Sequence, residues 1–409
     1  MPDQHRSRLD PVDYLVAAHE AETLALEYLL QRVELTVVIS NLIHAIQRER
    51  GASGLFAASR GERFVEQRET LIRETGAWQT RLERALERMH ASLTPAQAGN
   101  RLLSRLAYAL HLLGSLPALR GGTSSLEISV DCARHQYTEV IQALLAIVFE
   151  TADTAPDPEV TRALVAMFHF MQGKELAGQE RALGAARLAS GDHQPALAPQ
   201  LAGLIDGQRR CLEIFEDLAD PDSLDIWRHL GDPAGTGELE RFRRMISLPP
   251  DREGEDCALS ETWFDCTTRR IDAMKQVEDA LEQHLHVLSE KRLDTARQAL
   301  AQDRSVIRDK DTPEMNEVPS LPLPGQDPNL VRLLHDQNRR LQTMQEELEQ
   351  ARAALAERKL VDRAKALLMK HRGLNEDDAY RLLRKMAMNQ NRRIGDIART
   401  LLAMSDILK

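Results

Sequence analysis

Three stretches of this chain place a cation where a helix would be expected to place an aliphatic side chain. Leu35, Ile39, Leu42 and Ile46 follow one another at spacings of three and four, which marks one face of a helix, and Arg50 continues that stripe. Leu164, Met167, Met171, Lys174, Gly178, Arg181 and Ala185 form a second stripe, with Lys174 and Arg181 inside it. Trp263, Thr267, Arg270, Met274, Val277 and Leu281 form a third, with Arg270 inside. An isolated charge is costly to desolvate, so three helices that each turn a cation inward point to a shared anion. The competing reading, for each cation taken alone, is pairing with Glu49, Glu180 or Asp272, or a stem laid on the apolar face with its head in water.

The elements that must carry these residues are helices. Aromatic residues make up only 4% of the 409-residue chain, Leu and Ala are abundant, and no alternating strand pattern interrupts the runs of helix formers. The expected fold is all-α, with a large helical bundle over residues 1–302 and a Pro-rich linker over 303–328 containing Pro313, Pro319, Pro322, Pro324 and Pro328. A long coiled-coil helix over 329–358 and a small three-helix bundle over 359–409 complete it. The stretches GDPAGTGELE and SLPPDREGED read as loops inside the large domain. Leu334, Leu341, Leu348 and Leu355 recur every seven residues, with Met344 and Ala351 three positions on and polar Gln337 and Arg358 completing that register. Such a seam suits a homodimer, or else the same helix laid against its own large domain.

Charge is divided unevenly. From Lys359 onward there are 12 Lys/Arg against 6 Asp/Glu, whereas the whole chain carries a net charge of −10. A basic tail on an acidic body fits a polyanionic partner for the tail, or a solvated helical surface. Cys132, Cys211, Cys257 and Cys266 show no zinc-ligand or C-x-x-C spacing and read as reduced thiols. With no signal-peptide core and no run of about 18 apolar residues, the expected location is the cytosol, away from the membrane.

The segments QRERGASG (Gln47 to Gly54), KELAGQERALGA (Lys174 to Ala185) and WFDCTTRRIDAMKQVE (Trp263 to Glu278) resemble the signature stretches of the NIT domain, a nitrate- and nitrite-sensing module. Weaker similarity lies in LPALR before Gly121 and around Tyr137, and Gly231 to Ser260 looks like a variable insertion. The resemblance implies an all-helical sensor in which arginines hold the anion, here Arg50, Arg181 and Arg270, with Arg48 and Arg269 as adjacent alternatives. Nitrate is planar, singly charged and a very weak base, so fixed donors must hold it, and guanidinium offers a planar fork of them at any physiological pH. Gly51 and Gly178 are expected to let helix backbones approach closely beside the site.

The tail run AKALLMKHRGLNEDDAYRLLRKMAMNQNRRIGDIARTLL resembles the ANTAR domain, an RNA-binding antiterminator module. It carries Ala364-Lys365, the Arg372-Gly373-Leu374 turn, Ala379-Tyr380 and Asp396-Ile397-Ala398. The two resemblances together imply a nitrate- or nitrite-responsive antiterminator with no cofactor beyond its ligand. It would hold paired hairpins of a leader RNA, with Lys365, Arg384, Arg392 and Arg393 contacting phosphates and Tyr380 the local aromatic for an unstacked base. No nucleophile elbow, phosphate-binding glycine loop or metal-ligand cluster suggests an enzyme. The remaining alternative is a ligand-responsive DNA-binding regulator that uses the three tail helices as a helix-turn-helix.

Overall fold

The computed structural model describes residues 11–92, 99–190, 197–230, 233–247, 257–310, 328–374, 376–390 and 392–407. The described residues form helices and connecting turns without a strand. The helices are α1 (Pro11–Ala58), α2 (Val65–Ser92), α3 (Asn100–Ser124), α4 (Val130–Thr154), α5 (Pro158–Ser190), α6 (Leu197–Leu218), α7 (Pro221–Leu230), α8 (Pro233–Ser247), α9 (Cys257–Lys310), α10 (Pro328–Arg372), α11 (Glu376–Asn389) and α12 (Ile394–Ile407). The chain divides into two compact units, Met1–Gln345 and Glu346–Lys409.

Helix starts follow local chemistry. Proline opens α1, α5, α7, α8 and α10, where its missing N–H would have no helical partner in any case. The Ser129 hydroxyl accepts from the Cys132 amide, and the Asp157 and Asp220 carboxylates accept from the Val160 and Ser223 amides, so free donors at these termini are satisfied. Pro233 accounts for one departure from the sequence reading: GDPAGTGELE does not stay a loop, because from its proline onward it opens α8. Likewise α9 continues to Lys310, past the expected linker start at 303, since no proline intervenes before Pro313. The other expected loop, from 248 to 256, and most of the linker lie outside the described residues.

In the first unit, α1 packs on α2, α4 and α9, while α5 packs on α6, α9 and α4, so α1, α5 and α9 form the central seam. All three sequence stripes lie in this seam. Leu35, Ile39, Leu42, Ile46, Leu164, Met167, Met171, Val277 and Leu281 are buried, and so are Arg50, Lys174 and Arg181. Lys174 forms a fully buried ion pair with Glu278, which also accepts from Ser40. Burial alone would raise the Glu278 carboxyl, but Lys174 and Lys275 hold it below the usual carboxylate range. The α1 and α3 helices are long and apolar enough to meet a length-and-composition criterion for crossing a membrane; the apolar stretch of α1 is 61% buried inside the bundle and that of α3 only 33%. The outer face of α3 therefore leaves Leu103, Tyr108 and Leu110 exposed.

In the second unit, Ala364, Leu368, Ala379, Leu383, Ala387, Ile397 and Ala398 form a small core, flanked by partly buried Leu382, Ile394 and Leu401. The expected coiled-coil helix and first tail helix are one continuous helix, α10. It stops at Gly373, whose φ of 64° suits glycine alone without strain and whose amide bonds back to Met369. On the heptad seam, Ala351 and Leu355 are buried and Leu348 and Met344 half-buried, while the side chains of Leu334 and Leu341 lie outside the described ones.

The seam is close-packed at Gly184, where an added Cβ would lie 2.4 Å from Nε1 of Trp263. Trp263 cannot yield, because its N–H donates to the Arg181 carbonyl at 2.9 Å and its ring sits edge-on to Phe242. Gly184→Ala should therefore destabilise the first unit by about 1–3 kcal/mol despite the better helix propensity of alanine. Guanidinium denaturation followed by circular dichroism checks this.

Candidate functional site

Arg50 on α1 and Arg181 on α5 are brought together, each through the other helix's glycine. A Cβ on Gly51 would come within 2.8 Å of Arg181 Nη2, and one on Gly178 within 2.8 Å of Arg50 Nη2. The glycines thus make room for guanidinium groups, which differs from the backbone approach expected of them. The two cations have unlike surroundings. Arg50 donates twice to Glu175, at 2.6 and 3.1 Å, and once to the Thr138 hydroxyl at 2.9 Å. Glu175 also accepts from the Gln47 and Gln179 side-chain amides, both at 2.9 Å.

Arg181 has no carboxylate at ion-pair distance among the described residues. Its Nη1 donates to the Thr268 hydroxyl at 2.9 Å and its Nη2 to the Gln47 carbonyl at 3.2 Å. One face of the guanidinium lies 4.8 Å from the centroid of the Phe264 ring. Among the described residues two of its five N–H donors are used, and only 3% of the residue is exposed. Burial, reinforced by the nearby Arg50 charge, pushes its pKa down to about 10. At physiological pH it stays a cation, at a cost that an anion would offset. The Gln47 side-chain oxygen is also buried here without a donor.

Thr268 lines a surface depression together with Thr262, Asp265 and Arg269. Phe264 meets Phe64 edge-on, and Arg63 pairs with Glu261, so the α1–α2 turn lies against the start of α9.

Arg270 is placed differently. It donates to the Gln208 side chain at 2.9 Å and lies 3.9 Å from Glu180. Glu180 is already engaged by Arg243, at 2.7 and 2.9 Å, and by Gln208 at 2.7 Å. Burial lowers the Arg270 pKa, and Glu180 opposes that shift. Neither Arg50 nor Arg181 shares a hydrogen-bond partner with it. The adjacent alternatives Arg48 and Arg269 are exposed and pair with Glu74 and Glu238.

Glu49, considered as a partner for Arg50, instead takes two bonds from Arg120, at 2.8 and 2.9 Å, and one from the Tyr137 hydroxyl at 2.8 Å. The weaker similarities around LPALR and Tyr137 therefore converge on one buried carboxylate. The arrangement also enlists residues that sequence reasoning missed, namely Glu175, Gln47, Phe264 and Thr268. Glu175 had one available signal, a carboxylate within the KELAGQER segment itself, but its direction toward Arg50 depends on how α1 and α5 cross.

In the second unit Lys365 is half-buried with its ammonium 2.7 Å from Asp362, and Arg384 is half-buried. Arg392 and Arg393 are exposed in the turn between α11 and α12, where the Arg392 amide bonds to Ala387. Lys385, not singled out from sequence, is exposed on α11.

A family model described as nitrate and nitrite sensing (NIT) matches residues 41–286, and an ANTAR domain model matches residues 349–402. A nitrate regulatory protein of Klebsiella oxytoca is 34% identical over 397 residues, covering 96% of this chain and 95% of that one. The chain belongs to the NIT family of nitrate and nitrite sensors. A solved structure of the NasR transcription antiterminator is similar as well, with 33% identity, a TM-score of 0.59, and coverage of 97% of this chain and 99% of that one. Within the NIT match fall all three α1, α5 and α9 signature segments, and with them Arg50, Glu175 and Arg181.

Two expected outcomes follow from this geometry. Gly51→Ala crowds the far end of the Arg181 side chain and makes only ordinary contact with the Phe264 ring, so the anion-free melting midpoint should stay near wild type while any oxyanion-induced rise disappears in differential scanning fluorimetry. His44, one turn before Arg48, is pushed from 6.5 down to about 3 by burial and next by Lys174. Because the unfolded chain takes up that proton first, the stability that depends on neutral His44 is complete above pH 6.5 and is lost as pH falls toward 3. His44→Gln should flatten the fall in melting midpoint between about pH 7 and about pH 4.5.

Proposed function

We propose that this chain is a one-component transcription antiterminator in which nitrate or nitrite, bound in the first unit, governs RNA binding by the ANTAR unit. The observation that carries the ligand reading is Arg181: a buried guanidinium with unused donors, no carboxylate partner and an aromatic ring on one face. A flat anion lying in the guanidinium plane takes those donors and restores charge balance. Arg50 supplies the second positive charge beside Gly178 while staying tied to Glu175. Arg270 would reach the same anion only by leaving Gln208 and Glu180, so its contribution is the smallest of the three.

For the tail, the ANTAR match supports RNA as the partner. Lys365, Arg384, Arg392 and Arg393 contact phosphates, and the exposed pair Arg392 and Arg393 is available without breaking an ion pair. Half-buried Tyr380 is the local aromatic for a base. The part of the α10 heptad seam ahead of Ala351, which with Leu355 is already buried within the single chain, would present two tails as a homodimer to two hairpins of one leader transcript, which raises affinity by effective concentration. This reading places the protein in the cytosol with nascent RNA.

Isothermal titration with nitrate, nitrite, sulfate and chloride tests the first half. Arg181→Gln should lower nitrate affinity at least about tenfold, one charge-assisted bond being worth about 1.5–3 kcal/mol, and Arg270→Gln should lower it less. Wild-type affinity in Arg181→Gln would overturn the site. Titration of a leader RNA carrying two hairpins or one, with and without nitrate, tests the second half. Equal affinity in all four conditions would overturn both gating and paired recognition, and tighter binding of duplex DNA of the same sequence would favour a DNA-binding regulator. Removing both Arg392 and Arg393 should reduce the salt dependence of RNA binding by about 0.7 per lost phosphate contact.

A further inference from the structure

Three buried charges meet at the crossing of α1 and α5: Arg50, Arg181 and Glu175, with side-chain exposures of 2% and 0% for the Arg50–Glu175 pair and 3% residue exposure for Arg181. Their sum is +1. The next buried pair along α5, Lys174 with Glu278, is neutral in itself. Two further charges near Arg181, Arg48 and Asp272, are of opposite sign and exposed, so water screens them. Glu175 makes no contact with Arg181 among the described residues. It is fully occupied by Arg50, Gln47 and Gln179. Its role at the site is therefore electrostatic: it removes one of two positive charges that an incoming anion would otherwise meet.

We infer that Glu175 is a specificity-determining residue, which sets the site's charge at +1 so that it accepts monovalent oxyanions and rejects divalent ones. This rests on the assignment of the anion to Arg181 above. A monovalent anion brings the buried cluster to neutrality. Sulfate leaves it at −1 in a region with little water, where an uncompensated charge is expensive. Guanidinium forks bind sulfate as readily as nitrate in general, so hydrogen-bonding chemistry alone does not separate the two anions. The charge count does.

Glu175→Gln keeps the volume and one acceptor oxygen while raising the sum to +2. Titration of the full chain with sodium nitrate and sodium sulfate at constant ionic strength should show the sulfate-to-nitrate affinity ratio rising at least about tenfold over wild type. A merely structural role for Glu175 would weaken both anions alike and leave the ratio unchanged, which would overturn the inference. Because Glu175→Gln leaves Arg50 without its partner, the double variant Arg50→Gln/Glu175→Gln accompanies it. Its sum is again +1, so its ratio should stay within about threefold of wild type, and a shift toward sulfate in the double variant would also overturn the inference. Arg181→Gln separates this from the site assignment. If that variant keeps nitrate affinity, the site itself is wrong; if it loses affinity while the Glu175→Gln ratio stays fixed, only the charge rule fails.

Discussion

The constraint around which the sensor is built is the unequal pairing of two guanidinium groups at one helix crossing. Arg50 has a carboxylate and Arg181 has none, although each lies against the other helix's glycine. A buried ion pair adds little net stability, because desolvation offsets much of the attraction, but a second cation beside it without a partner is a cost. Thr268, the Gln47 carbonyl and the Phe264 ring reduce that cost without cancelling the charge. Several other buried carboxylates of this unit are matched by a cation. Lys174 has Glu278, Arg120 has Glu49, Arg243 has Glu180, and Arg292 has Asp157.

That matching explains how the first unit holds many ionisable groups inside a bundle. Most of the pairs join helices far apart in sequence, and each carboxylate involved is almost fully buried. Removing one partner would leave the other stranded. Such pairs therefore fix which helices meet and in what register more than they add stability. The site and the scaffold are made of the same interactions, so a charge added at Arg181 is felt on α1 through Gln47 and on α9 through Thr268 and Phe264.

How much of this was legible in the sequence depended on the range of the interaction. Periodicity placed Arg50, Lys174 and Arg181 on buried stripes correctly, because burial of a helix face is a local property of spacing. It placed Arg270 on its seam as well, and Glu180, one of the partners considered for such a cation, lies 3.9 Å from it, but Gln208 arrives from α6 and left no local signal. The same limit hid Glu175, which sits next to Lys174 in the sequence but turns to Arg50. Proline was ambiguous information: Pro233 opens a helix where a loop was expected, and the clustered prolines drew the linker too early at 303, before α9 ends. The tail was the most readable part. Gly373 at a positive φ, and the apolar set from Ala364 to Ala398, are short-range features of a small bundle.

The two units differ in how they meet a polyanion or an anion, and the difference is one of solvation. In the tail, Arg392 and Arg393 stand in water, where each proposed phosphate contact would be weak, additive and screened by salt. In the bundle, Arg181 is almost wholly removed from water, so a single small anion changes the local energy by far more than one exposed contact can. A cell's many anions could satisfy the first kind of site. Only an anion of matching charge, with oxygens in the plane of the guanidinium, satisfies the second, and a ligand can shift a protein only by as much as it prefers one state over another. With the anion at Arg181 as proposed, the buried surplus charge would supply that preference, because any arrangement of α1, α5 and α9 that keeps Arg181 dry would favour the anion-bound form over the anion-free one.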